Sequence, residues 1–249
     1  RYPDSAPHSL YAYYARDFSV PLLKRFYMQL IEEHEVDAVV VVDGGSDSLM
    51  RGDEEGLGDP IEDHVSVTAV ADLAEPDVRL LLAVGLGTDR RNHVSDASAL
   101  RAIAELTRTG GFLGALALEP DSESFRFYRD LVDFLFDNQK FRSVIAGAIR
   151  SAGEGHFGSG DVPSALQERV QSGDLFLWPL MSILWGFDAE KVAERSLLSD
   201  WIRESETARE CLMAMYAGRR EIELRPIEEL PRHSDYRGSY NHLAPDEDA

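Results

Sequence analysis

Val36-Asp37-Ala38-Val39-Val40-Val41-Val42, followed at once by Asp43-Gly44-Gly45, is the stretch that decides the fold. An unbroken β-branched run of this length suits a strand covered on both faces, here halted by a carboxylate and two glycines. The same grammar recurs twice. Residues 78–85 (VRLLLAVG) run into Leu86-Gly87-Thr88-Asp89, and residues 112–118 (FLGALAL) run into Glu119-Pro120-Asp121-Ser122. Amphipathic patterns at 61–73, 96–107 and 123–136 separate these strands, and residues 19–34 read as a helix with Pro21 in its first turn. Alternating strand and helix predicts an α/β fold of right-handed βαβ units. Its sheet is mostly parallel, with these three strands central, flanking helices and a more helical C-terminal part.

Residues 141–149 fit a strand or a buried helix equally well. Residues 175–187 (LFLWPLMSILWGF) are the most apolar stretch, broken in two by Pro179, and residues 188–217 read as one or two helices. Trp178 and Trp185 suit a ligand wall or the core, and core is the commoner role of such a run. Residues 1–233 are expected to form one domain and residues 234–249 an acidic, loose tail.

The 249 residues carry 25 Lys and Arg against 45 Asp and Glu, a net charge of −20. Such a chain repels phosphate backbones and anionic lipid, so neither nucleic acid nor a membrane is an expected partner. Cys211 is alone, which excludes a disulfide framework, a cysteine zinc cluster and a CxxC pair. No apolar run is long enough to span a bilayer, and a cytoplasmic home is the default. A homo-oligomer stays open.

The chemistry concentrates in residues 43–63, DGGSDSLMRGDEEGLGDPIED, placed where open α/β sheets bind their ligands, beyond a strand's carboxyl end. Gly44 and Gly45 allow close backbone approach and positive φ. Clustered carboxylates are costly unless something positive is shared among them. Asp43, Asp47 and Asp53 are therefore the candidate ligands of a hard divalent cation, Mg²⁺ or Mn²⁺, or of a substrate amine. The bland alternative is a solvated acidic loop neutralised by Arg51 and water.

Gly87, Thr88 and Asp89 form a second strand-end loop. With Gly44, Gly45, Ser46, Arg51 and Arg91 they are the expected contacts of a small-molecule ligand, the arginines meeting its carboxylate or phosphate. Asp47, His93 and His64 are the candidate proton carriers. His156, in a Gly-rich stretch, is a lesser candidate. GxxxxGK[ST] is absent and no GxGxxG follows a predicted strand, so nothing points to a nicotinamide or flavin cofactor.

Residues 39–63, with Gly85-Leu86-Gly87-Thr88-Asp89, Gly110-Gly111-Phe112-Leu113-Gly114-Ala115, Trp178-Pro179-Leu180-Met181 and Trp185-Gly186-Phe187-Asp188, resemble the prokaryotic family called domain of unknown function 1152. That resemblance implies a Rossmann-like fold and no defined activity. Members of that family usually also carry a Gly-rich acidic segment near the N-terminus, and none precedes Arg1 here. If that segment contributes to the site, this chain holds part of the machinery. Asp43-Gly44-Gly45-Ser46-Asp47 is also similar to the Asp-Gly-Gly-Asn-Glu pattern of D-glutamate cyclase-like proteins, with Ser46 and Asp47 in place of Asn and Glu. The expectation is an enzyme on a small polar metabolite, a lyase, cyclase or hydrolase, with a divalent cation assisting. The alternative is a non-catalytic sensor of a small ligand or nucleotide.

Overall fold

Strand β1 (Ala38–Asp43) runs parallel to β2 (Val78–Val84), with Val41 opposite Leu81 and Asp43 opposite Ala83. Helix α1 (Val20–His34) precedes β1, and α2 (Pro60–Ala71) makes the crossover to β2. Their starts are chemically marked. Ser19 accepts the Leu22 amide at 3.4 Å and Pro21 fills the first turn of α1, while Pro60 opens α2. After β2 come α3 (Asp96–Arg108), β3 (Phe112–Ala117), α4 (Glu123–Asn138) and α5 (Val144–Gly153). The chain finishes with α6 (Gln167–Gln171), β4 (Ile183–Asp188), α7 (Ala189–Arg195), α8 (Ser199–Ile202) and α9 (Ala208–Arg220). This computed structural model describes residues 10–13 and 18–231, so the expected acidic tail lies outside the described residues.

The sheet order is β1-β2-β4-β3, and β4 is antiparallel to both of its neighbours. The fold is α/β as expected, but the sheet is mixed. Residues 175–187 account for the difference. Pro179 opens a short 3-10 turn (Pro179–Ser182), and the apolar remainder becomes β4, which inserts between β2 and β3. The expectation that the three early strands are central is thus corrected: β1 and β3 are edges, and β2 and β4 lie inside. Residues 144–153 resolve as helix, and residues 188–217 divide into three helices rather than one or two.

The central core packs on one face of the sheet. Leu81, Ala83 and Phe187 meet Val65 and Ala69 of α2, Val192 of α7 and Met215 of α9, all buried. Residues 39–42 were expected to be buried, and this too is corrected. Val39 and Val41 are half-buried against α1 and α2, whereas Val40 and Val42 on the other face are 44% and 62% exposed. Composition alone does not distinguish a one-sided edge strand from a two-sided central one. Among the described residues no helix is long and apolar enough to cross a membrane.

Phe187 is fully buried, with its ring 5.5 Å from that of Phe112. Phe187→Ala is expected to cost about 3–5 kcal/mol in urea melts. Val42→Ala should cost less than about 1 kcal/mol. Equal costs would contradict the one-sided packing of the sheet.

Candidate functional site

The parallel pairing of β1 and β2 brings their carboxyl ends, and so both strand-end loops, to the same edge. Asp43 is the last residue of β1 and is buried. The chain then turns through Gly44 and Gly45 into a 3-10 turn at Asp47–Leu49, while the loop after β2 forms another at Thr88–Asn92. One carboxylate ties the loops together. Asp89 Oδ2 accepts the Ser46 amide at 2.7 Å and the Ser46 hydroxyl at 3.3 Å. Gly45 is required by close approach, since a β-carbon there would lie 2.6 Å from Asp89 Oδ2. Neither Gly44 nor Gly45 has positive φ, which corrects that part of the expectation; Gly87 does, at φ 96°.

Asp43 accepts the Ser48 hydroxyl at 2.5 Å, and Asp47 accepts the Asp59 amide at 3.2 Å. Asp63, on the first turn of α2, completes the group: Asp43, Asp47 and Asp63 each offer an oxygen, all within 4.8 Å of one another. Gly58, at φ 77°, lets the loop before α2 close over Asp47, where a β-carbon would come within 2.6 Å. Among the described residues, no Lys, Arg or His forms an ion pair with Asp43, Asp47, Asp63 or Asp89.

Burial without a cation shows in the proton affinities. Burial pushes Asp43 up to about 7, and the Asp47 charge adds to the rise against the Ser48 hydrogen bonds. Asp89 also rises to about 7, first through burial and then through Asp47. Asp63 goes furthest, to about 10, through burial and then the charges of Asp43 and Asp47. Asp47 is raised by burial, while hydrogen bonds from the Asp59 amide and the Asp63 side chain hold it down. A hydrogen bond joins the Asp47 and Asp63 side chains, so the pair holds a shared proton.

Several expected site residues go elsewhere. Asp53 is buried but faces Arg225, whose Nε and Nη2 donate to it at 2.8 Å, and Arg51 lies 3.6 Å away. Burial raises its pKa, but the two arginines outweigh that and hold it below the usual carboxylate range. Asp53 and Arg51 therefore belong to a clasp that fastens the segment after α9 to the loop, with Glu54 and Arg225 in it. His64 is buried, its Nδ1 3.1 Å from the Ser196 hydroxyl, and its Nε2 has no partner. Burial and then the Arg195 charge lower its pKa to about 4, so it stays neutral and faces the α7–α8 connection. His93 ends the second loop in a left-handed conformation and lines a cavity of about 520 Å³ with Gly58, Asp59 and Met215. His156 is 3.0 Å from Asp161.

Thr88, Asp89 and Arg91 line a separate cavity of about 340 Å³ that also meets the start of α5. Trp178 supports this loop rather than facing a ligand, since its Nε1 donates to the Leu86 carbonyl at 2.7 Å and its ring packs against the core. Asp63 is the member that sequence reasoning missed as a ligand. An acidic residue in a helix's first turn is ordinarily a solvated partner of the dipole, and only the packing of α2 onto the strand ends turns it inward.

The profile of the family described as "Protein of unknown function (DUF1152)" matches residues 20–224. The chain belongs to the DUF1152 family. No curated protein and no solved structure matches it. The matched span contains the whole carboxylate group of this DUF1152 domain and both strand-end loops, and stops one residue short of Arg225.

The raised carboxylates set the sign of the pH dependence. Without a cation, the folded protein keeps protons that the unfolded chain has already released above the ordinary Asp pKa of 3.8. Stability in chelator is therefore expected to fall as pH rises from about 5 to 8, by up to about 1.4 kcal/mol per pH unit for each proton retained. Urea melts across that window check it. A flat or rising profile would mean the four carboxylates are not held as described.

Proposed function

We propose that this DUF1152 protein is an enzyme acting on a small polar metabolite, with a divalent cation, Mg²⁺ or Mn²⁺, held by Asp43, Asp47 and Asp63 and with Asp89 beside them. The observation that carries this reading is the convergence of three carboxylates within 4.8 Å at a strand end, with no cationic side chain among the described residues paired to them. A cluster of that kind costs folding energy, and a hard cation with oxygen ligands is the species that recovers it. When bound, such an ion supplies charge to polarise a carbonyl or to activate water.

The chain's own groups supply the rest. The Asp47–Asp63 pair holds its shared proton and releases it when a cation takes its place. The Ser46 and Ser48 backbone amides orient Asp89 and Asp43, fixing two of the carboxylates before any ligand arrives. His93, which lines a cavity with Asp59, is assigned the proton transfer, since His64 is committed to Ser196. Lyase, cyclase and hydrolase chemistry all fit a polarised carbonyl or activated water.

Asp43→Asn is expected to raise the melting temperature of the metal-free protein, because it removes one repelling charge while an amide oxygen still accepts from Ser48. The same change should abolish the stabilisation that Mn²⁺ gives the wild type. Asp53→Asn, outside the cluster, should keep that stabilisation. Thermal melts with and without Mn²⁺, followed by product analysis of metabolites that add further stabilisation, form the test. A wild type indifferent to Mg²⁺ and Mn²⁺ would end the cation reading. Ligand stabilisation with no product from any ligand would replace the enzyme with a sensor.

A further inference from the structure

We propose that the cavity beside the carboxylate cluster binds the phosphate group of a small phosphorylated metabolite, with Arg91 and Arg169 on one side of the phosphate and the cation on the other. This rests on the cation reading above and adds the class of substrate.

Arg90, Arg91 and Arg169 lie around the loop after β2, and they differ in how far they are already engaged. Arg90 is committed: its Nε donates to Asp96 at 3.1 and 3.0 Å, its Nη2 at 2.6 Å, and its guanidinium lies 4.9 Å from the Trp178 ring. Among the described residues Arg91 and Arg169 reach only Asp174, at 3.9 and 3.5 Å, beyond a good hydrogen bond. Both line the 340 Å³ cavity. Two guanidinium groups with donors to spare, set around one space, are suited to bidentate recognition of an oxyanion.

Two further observations point to a ligand there. Thr88 is nine-tenths buried and lines the same cavity, and its hydroxyl has no hydrogen-bond partner. A buried hydroxyl without a partner is uncommon. Val144 and Ile145, which open the ten-residue helix α5, form another wall, so the first turn of that helix borders the space.

Asp89 joins this cavity to the cluster, because it lines the cavity and also holds Ser46. Its charge and that of Asp174 would repel a free anion, so the anion is expected to enter only with the cation. Phosphate suits this better than a carboxylate. It carries nearly two charges and enough oxygens to meet guanidinium groups, a hydroxyl and a metal ion together. A space of about 340 Å³ is at the small end of ligand pockets and fits a small metabolite rather than a dinucleotide.

Titration calorimetry on the full chain tests this with inorganic phosphate as probe, in saturating Mg²⁺ and in chelator. Phosphate should bind at least about tenfold tighter with Mg²⁺. Arg91→Gln, Arg169→Gln and Thr88→Val should each weaken phosphate, the arginine changes by roughly tenfold or more, while Mg²⁺ affinity alone stays within about twofold. If Mg²⁺ binds and phosphate does not, or acetate binds as well as phosphate, or the arginine variants behave as wild type, the phosphate inference is overturned and the cation site stands. If Mg²⁺ itself does not bind, the cation reading falls, and the bridged phosphate falls with it.

Discussion

Mutual repulsion among Asp43, Asp47, Asp63 and Asp89, held together at the mouth of β1 and β2, is the constraint on which the site depends. Four carboxylates with raised proton affinities and, among the described residues, no paired arginine or lysine form an arrangement the fold maintains at a cost. The surroundings show how it is maintained. Backbone amides of Ser46, Ser48 and Asp59 each point at a carboxylate, and Gly45 and Gly58 leave out side chains that would push the group apart. The Asp53–Arg225 clasp and the buried contacts of α2 fasten the loop from outside.

Asp53 shows what the same residue type does when neutralised. Asp43 and Asp53 both have little exposed surface, but Asp53 lies less deep and has two guanidinium groups beside it, and its proton affinity falls, whereas that of Asp43 rises. Asp53 is accounted for by the architecture. Asp43 has only hydrogen bonds, which offset part of its desolvation and leave room for a cation. Functional sites commonly trade stability in this way.

Much of this was legible in the chain itself. The β1 and β2 runs, each ending in glycine and aspartate, placed the site at one sheet edge, and Asp43, Asp47 and Asp89 do meet there. Local pattern failed where distant packing decides. β4 is antiparallel because the chain re-enters the sheet at the carboxyl end of β2, where Leu184 lies opposite Val84, and nothing in ILWGFD encodes its direction. Val40 and Val42 read as buried because β-branched composition is the same for an edge strand and a central one. Asp53 and Asp63 exchanged roles for a similar reason: Arg225 is 172 residues from Asp53, and the inward turn of Asp63 depends on how α2 meets the strand ends.

Anomalous diffraction from crystals of this DUF1152 protein grown with Mn²⁺ tests the central claim most directly. The account predicts one strong peak within coordination distance of Asp43, Asp47 and Asp63, about 2.0–2.2 Å from an oxygen of each, as hard six-coordinate ions require. The peak should vanish in Asp43→Asn. A cluster free of anomalous signal at saturating Mn²⁺, with its carboxylates still sharing a proton, would contradict it.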